Sequence, residues 1–112
     1  MTEQQIIETM ATMVMGWREG VDAWGFPSWY KDRECLVHKD KWNPLQNISD
    51  AWQVVEKMKA LGWRYALANK TGMGDVCCYF FDDNTKPFIH YASREEEAIC
   101  KSALKTVGVE VE

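Results

Sequence analysis

The chain has 112 residues, the size of one ordinary globular domain, which leaves no room for a second core. Apolar residues make up 46% and charged residues 27%, and no apolar run is long enough to cross a bilayer, so we expect a globular protein without a membrane partner. The net charge of −4 argues against extended nucleic acid as a partner, because such binding depends on a basic surface. We therefore expect a single domain over residues 1–112.

The N-terminus and the cysteines bear on cellular location. The first ten residues contain neither the basic start nor the continuous apolar stretch of a secretory signal, so we expect a cytoplasmic protein. Structural disulfides are uncommon in a reducing compartment, and we interpret the four cysteines as free thiols. Cys77 and Cys78 would point to opposite faces of a strand, which suits neither a disulfide nor a shared metal site.

The first predicted element is an amphipathic helix that ends near Gly16. Thr2 and Gln5 have the spacing of a capping box at its start. The apolar residues then recur at spacings of three and four and form one stripe: Ile6, Ile7, Met10, Met13, Val14 and Trp17.

Residues 16–48 form a long aromatic connection that holds four of the six tryptophans. Connections of this length are usually functional or disordered, and tryptophans argue against disorder. Residues 34–38 could add a short edge strand, but the alternation there is too brief to decide.

A second helix is expected from about residue 50 to residue 61, with Ser49 as its N-cap and Gly62 as its stop. Its expected buried stripe consists of Ala51, Trp52, Val55, Met58 and Leu61.

Three strands follow, separated by segments rich in turn-forming residues, so an antiparallel meander is the simplest arrangement of residues 63–68, 76–81 and 88–92. A last helix starts at Ser93 and Glu96, which have capping-box spacing, and ends at Gly108. The strand at 76–81 is apolar on both faces and needs a cover on each. These elements predict an α/β fold, a three-layer α/β/α sandwich around a small, mainly antiparallel sheet.

Three stretches of the sequence resemble the phage ABA sandwich domain family, small proteins encoded by phages and prophages of Gram-positive bacteria. They are VMGW at residues 14–17, WNPLQNISDAWQVVEKMKALGW at residues 42–63 and EEEAICKSALKTVG at residues 95–108. The resemblance implies the layered fold and a phage protein in the cytoplasm of a bacterial host cell. It implies no catalytic residues, and residues 18–41 lie outside the similarity.

Three patterns could carry chemistry, and each has a simpler explanation. Cys35 and His38 have a spacing found in metal sites, but a buried cysteine beside a surface histidine explains the pair more simply. No cysteine and histidine stand in a catalytic motif, and residues 70–75 lack the helix that a phosphate loop requires. We therefore expect no metal, no cofactor, no catalytic residues and no enzymatic activity.

The aromatic connection is the best candidate for a binding surface, because its rings alternate with basic residues and are hard to bury together. Aromatic faces beside cations suit a planar base or a protein anchor. The predicted ligand-binding residues are Trp24, Trp29, Tyr30, Lys31 and Arg33. The tryptophans at 42, 52 and 63 are expected to stabilise the fold instead.

These observations favour a non-catalytic phage accessory protein that binds and sequesters a small nucleotide-like molecule, to counter a host process such as defence signalling. An alternative is a protein-interaction module that inhibits a host protein. A zinc-binding or Cys/His enzyme domain is the least favoured interpretation. A homo-oligomer is plausible, because exposed aromatic residues on a small domain often mark a subunit contact.

Overall fold

The computed structural model describes residues 1–69, 75–84 and 86–110. Within these residues, three α-helices are separated by two groups of three strands, in the order α, βββ, α, βββ, α. The helices are α1 (Glu3–Thr9), α2 (Ile48–Ala60) and α3 (Glu95–Thr106). The strands are β1 (Arg18–Val21), β2 (Pro27–Lys31), β3 (Glu34–His38), β4 (Arg64–Asn69), β5 (Val76–Phe81) and β6 (Phe88–Ala92).

The N-terminal helix starts as the sequence predicts. The Thr2 side chain accepts from the Gln5 amide at 3.1 Å, and the Gln5 side chain accepts from the Thr2 amide at 2.8 Å. Beyond α1 the helix widens into a π-helical turn at Met10–Val14, a feature the apolar period did not indicate. The chain then leaves the helix at Gly16, whose φ of +75° favours glycine.

The caps of the other two helices differ from the predicted ones. The N-cap of α2 is Asn47 rather than Ser49, and its side chain accepts from the Asp50 amide at 3.1 Å. The N-cap of α3 is Arg94, which provides no side-chain cap, so the predicted capping box at Ser93 is wrong. Glu96 instead turns toward the guanidinium of Arg94, at 2.6 Å.

The aromatic connection is not an irregular loop, because most of residues 18–38 fold into an antiparallel sheet of order β1-β2-β3. The edge strand weighed at residues 34–38 is present as β3. The two preceding strands were not predicted. A second antiparallel sheet has the order β4-β5-β6, and its strands lie within one residue of the predicted positions. Residues 70–74, within the candidate phosphate loop, lie outside the described residues.

The core lies between the helices and one face of the second sheet. Cys78 and Phe80 of β5 point into it and are fully buried, together with Ile99 and Leu104 of α3. The Ser102 hydroxyl donates to the Phe88 carbonyl at 2.7 Å and so joins α3 to β6. The predicted mixed α/β class with antiparallel sheets is confirmed. The opposite face of the second sheet is partly open to solvent, because Ala66, Ala68 and Tyr91 are exposed there.

The predicted stripe of α2 is only partly buried. Ala51, Val55 and Met58 are buried as expected, but Trp52 is 38% exposed and Leu61 is 56% exposed. Val54, which the stripe omitted, is fully buried in their place. The buried face of α2 is therefore rotated relative to the predicted one.

Candidate functional site

The turn between β1 and β2, residues 22–26, is organised by one carboxylate. Asp22 Oδ1 accepts from the amides of Trp24 and Phe26, both at 2.9 Å, and the Asp22 carbonyl accepts from the Gly25 amide at 3.0 Å. Gly25 has a φ of +88°, which a side chain would strain. The two amides, led by that of Phe26, hold the pKa of the Asp22 carboxyl below its usual value. The turn therefore has a defined conformation.

His38 attaches this turn to β3. Its Nε2 lies 2.8 Å from Asp22 Oδ2, the oxygen that is free of the turn amides. Its ring also stacks on that of Phe26, with centroids 5.4 Å apart and planes 27° apart. His38 thus contacts both the carboxylate and an aromatic side chain of the turn.

The turn presents apolar side chains to solvent. Trp24 is 82% exposed, more than any other large apolar residue among those described, and Val21 and Phe26 are more than half exposed. Asp22 is the only ionisable residue in residues 21–27, and its two oxygens are occupied as described above. The Trp24 turn, defined here as residues 21–27, is therefore an apolar projection that carries little available charge.

Trp29 occupies a different environment. It is fully buried in the core, whereas Trp24 and Phe26 stay exposed, so Trp29 is unavailable to a ligand at the surface. The Lys39 ammonium lies 4.9 Å from its ring centroid and also meets Glu8 at 3.2 Å and Glu19 at 2.9 Å. Among the described residues, the indole Nε1 of Trp29 has no hydrogen-bond partner. Trp29 thus attaches the first sheet to the core.

Tyr30 is half-buried against its own sheet. Its ring lies over Gly20, where an added Cβ would come within 2.7 Å of ring carbons, so glycine is required for this close approach. The Tyr30 hydroxyl donates to the Val21 carbonyl at 3.1 Å, and Arg18 lies 5.1 Å from the ring centroid. Desolvation, followed by the nearby Cys35 thiol, raises the pKa of Tyr30.

Lys31 and Arg33 are exposed, but they lie at the other end of β2 from Trp24. The five residues of β2 are separated by four steps of about 3.3 Å, so the two ends of the strand lie roughly 13 Å apart. The five predicted site residues therefore divide into an exposed turn, a buried core residue, a half-buried ring and a distant basic turn. They do not line one pocket.

The cysteines and histidines give no support to a metal or thiol site. Cys35 is exposed rather than buried, and His38 is held by Asp22. Within residues 1–69, 75–84 and 86–110, no three His, Cys, Asp or Glu side chains are grouped to hold a metal ion. Burial raises the pKa of the Cys78 thiol to about 12 and that of Cys100 as well, which keeps both thiols protonated.

Two surface concavities have linings suited to binding. One, of about 320 Å³, lies beside the Trp24 turn and is lined by Gln4, Phe26, Pro27, Lys39 and Asp40. The other, of about 510 Å³, lies where α2 passes into β4 and is lined by Lys59, Gly62, Trp63, Arg64, Tyr65 and Phe81. We call the second one the α2–β4 groove. In the sequence, the run WRY at residues 63–65 predicts the start of a strand and a tryptophan that stabilises the fold, and it does not indicate a groove.

A third cleft, of about 340 Å³, lies between the N-terminus and α3. Its Arg94 is bound to Gln46 and Glu96, and its Lys101 is bound to Glu97 at 2.5 Å. The Arg94–Gln46 contact joins the start of α3 to the segment before α2, so we assign the cleft a structural role.

Comparison with known proteins gives the family. The model of the phage ABA sandwich domain matches residues 8–104, which is most of the chain. The chain belongs to this family. A crystal structure of a phage protein from Bacillus cereus superposes with a TM-score of 0.76 at 26% sequence identity, and the match covers 100% of this chain and 93% of that one. No curated protein matches the sequence significantly. In the described residues of this phage ABA sandwich domain, no helix is long and apolar enough to cross a membrane.

Proposed function

We propose that this domain is a non-catalytic phage protein that binds a host protein through the Trp24 turn. The observation that carries the proposal is a tryptophan 82% exposed on a turn that is fixed by Asp22. Tryptophan is the residue type most enriched among anchors of protein interfaces. A turn that is already held by hydrogen bonds also loses less entropy on association than a flexible one.

The chemistry of the Trp24 turn indicates the kind of partner. Val21, Trp24 and Phe26 are apolar and project outward, whereas the one carboxylate is occupied by two amides and a histidine. A convex, nearly uncharged projection matches an apolar pocket on a protein surface better than it matches phosphate groups. We therefore favour a pocket of this kind on a host protein as the site that receives Trp24.

We therefore rank binding to a host protein above binding of a nucleotide-like ligand, which reverses the order that the sequence favoured. A nucleotide-like ligand bound by all five predicted residues would have to reach from Trp24 to Arg33, across the length of β2 and past the buried Trp29. A protein surface can span that distance, since a standard interface buries about 800 Å² on each side. Inhibition of a host process, such as defence signalling, remains the expected consequence of binding.

The test is a quantitative binding comparison with a host partner captured by a photocrosslinker placed at the exposed Ala23, which leaves Trp24 in place. Trp24→Ala should weaken binding to that partner by about 2 kcal/mol or more, while the melting temperature stays unchanged. Met13→Ala is the matched control, because Met13 is an apolar side chain 51% exposed on another element. It should leave binding as it is.

Two results would contradict the proposal. One is equal binding by the Trp24→Ala variant and the natural protein. The other is co-sedimentation of the natural protein, but not of the variant, with phosphatidylcholine vesicles, which would assign the Trp24 turn to a lipid surface. Trp29→Ala is unsuitable for this test, since a buried residue affects folding as well.

A further inference from the structure

The second sheet has one face that the helices do not use. They pack on the face of Cys78 and Phe80, and alternate residues of each strand point the other way. We call this other side the open face of the second sheet; it consists of Ala66, Ala68, Cys77, Tyr79, Phe81, Ile89 and Tyr91, with Arg64 at one end. None of these side chains belongs to the main core. The sequence predicts a helix layer on each side of β5, and among the described residues the open face lacks that cover.

The open face is apolar and nearly uncharged. Its one charged residue is Arg64 at the end of β4, which pairs with the exposed Asp83 at the rim. Tyr91 is 51% exposed on the other outer strand, and tyrosine is among the residue types enriched in protein interfaces. An apolar centre with charge confined to the rim is the usual anatomy of such an interface, and it does not suit an anionic ligand.

The relief of the open face is self-complementary. On this face β4 contributes two small side chains, Ala66 and Ala68, between its ends. On the far side of the central strand, β6 contributes the larger Ile89 and Tyr91. The register places Ala68, Cys77 and Tyr91 in one row across the sheet. A two-fold axis parallel to β5 and just above the face brings β6 of a second copy over β4, so that the alanines of each copy face large side chains of the other.

We propose that a second copy of this chain packs on the open face, sheet against sheet, about a two-fold axis parallel to β5. The strands of the two copies then stay nearly aligned, as in ordinary sheet-on-sheet packing, and Ala68 faces the partner's Tyr91. The face extends about 14 Å across its strands and about 17 Å along them, an area below the about 800 Å² per partner of a standard interface. We therefore expect a reversible dimer with a dissociation constant in the micromolar range.

This inference does not rest on the function proposed for the Trp24 turn. It places the subunit contact on the second sheet, whereas the sequence favoured the aromatic connection as the place for it. The two surfaces are separate, so a dimer formed in this way leaves the Trp24 turn free for its own partner.

The experiment is sedimentation equilibrium over micromolar to millimolar concentrations of the natural protein and of two variants. Ala68→Lys and Tyr91→Glu each place an unpaired charge in the dimer contact, and each should weaken dimerisation at least about tenfold. An equimolar mixture of the two variants should form a heterodimer at least about tenfold tighter than either homodimer, because the new lysine of one chain faces the new glutamate of the other.

Matched controls separate this contact from other surfaces. Ala60→Lys makes the same substitution at an exposed alanine of α2, and Trp24→Ala tests the aromatic connection; neither should change the dimerisation constant. Melting temperatures establish that each variant is folded. The natural protein supplies a measurement that needs no variant: on dilution, the NMR methyl signals of Ala66 and Ala68 should shift, whereas that of the buried Ala98 should stay in place.

Three outcomes would overturn the inference. The first is a monomer at every concentration, without dilution shifts at Ala66 and Ala68. The second is a dimer that persists in both charged variants or disappears in Trp24→Ala, since the contact would then lie on another surface. The third is a mixture of the two folded variants that stays monomeric, which would exclude the facing of β4 with β6 of the partner.

Discussion

The two sheets have the same construction, a meander of three antiparallel strands, but they are attached to the helices by different means. The second sheet lays a broad apolar face against α3, where Cys78, Phe80 and Ala92 join the main core. The first sheet contributes one large side chain, Trp29, with Val37 beside it, and the Lys39–Glu8 ion pair joins the segment after β3 to α1. Attachment through few contacts leaves most of the first sheet accessible.

This difference suggests how the domain divides stability and recognition. A sheet whose whole face is buried cannot change its side chains without disturbing the core, since protein interiors are close-packed. A sheet attached mainly at Trp29 can vary its turns freely, and loops positioned by a rigid scaffold are where binding residues concentrate. Trp24 and Trp29, five positions apart, therefore have opposite roles.

The most direct test of this difference removes Trp29, the side chain that attaches the first sheet to the core. Trp29→Ala should lower the free energy of unfolding by about 3–5 kcal/mol, because truncation of a fully buried tryptophan leaves a large cavity. Chemical denaturation measures the change. Trp24→Ala is the matched control and should stay within about 0.5 kcal/mol of the natural protein. Equal effects of the two substitutions would show that the first sheet is not attached in this way.

The second sheet was predictable because each strand is a continuous apolar run bounded by turn formers, as in VCCYFF at residues 76–81. The first sheet was not, because β1 and β2 are four and five residues long and mix charged, small and aromatic residues. Strands this short are specified mainly by their pairing, for example Tyr30 opposite Arg18 and Cys35, and pairing is a property of the folded chain.

The sequence predicted the kinds of residue that the candidate sites contain, but not which of these residues lie close together. The sequence located exposed aromatic character near Trp24 correctly, but no local pattern reveals that Trp29 points into the core while Arg33 lies at the far turn of β2. A β-bulge between Trp29 and Tyr30 shifts the register against β3 as well. The α2–β4 groove was missed because part of its lining, Phe81 at the end of β5, is distant in sequence from the end of α2.

Alkaline pH should weaken the attachment of the second sheet. The folded pKa of Cys78 is raised to about 12 from an ordinary value of 9.0, mainly by burial, so the folded state holds its thiol proton where the unfolded state releases it. The free energy of unfolding should therefore fall between pH 9 and pH 12, by up to about 4 kcal/mol from this group. Urea denaturation at a series of pH values measures the slope.

The control for this prediction is Cys78→Ala. We compare the slope of unfolding free energy against pH in the variant and in the natural protein, because the substitution also leaves a small cavity that lowers the absolute stability. The variant should lose part of the decline that the natural protein shows over this range. Indistinguishable slopes would mean that the thiol becomes accessible without unfolding, contrary to its burial against Ser102 and α3.

A smaller effect is expected at the ionic attachment of the first sheet. Lys39→Met keeps the hydrocarbon stem over Trp29 but removes the charge that meets Glu8 and Glu19, and it should cost about 1 kcal/mol of unfolding free energy. The loss should shrink in 1 M salt, where charges are screened. Lys59→Met, whose partner Glu56 is well exposed, should change stability by no more than about 0.5 kcal/mol. A similar loss of unfolding free energy from both substitutions would show that Lys39 contributes no more than an ordinary surface ion pair.

The smallest effect concerns the Trp24 turn alone. Because the folded pKa of Asp22 is lowered, chiefly by the Phe26 amide, its contribution is present above the unfolded pKa near 3.8 and is lost as pH falls through the folded value. Hydrogen exchange of the Trp24 and Phe26 amides should therefore lose protection on acidification below about pH 4, while amides of α3 stay protected. Asp22→Asn should weaken this protection already at neutral pH, since a neutral amide oxygen accepts less strongly than a carboxylate. If both amides remain protected in acid and in the variant, backbone geometry rather than Asp22 fixes the turn, and the preorganisation of Trp24 has another cause.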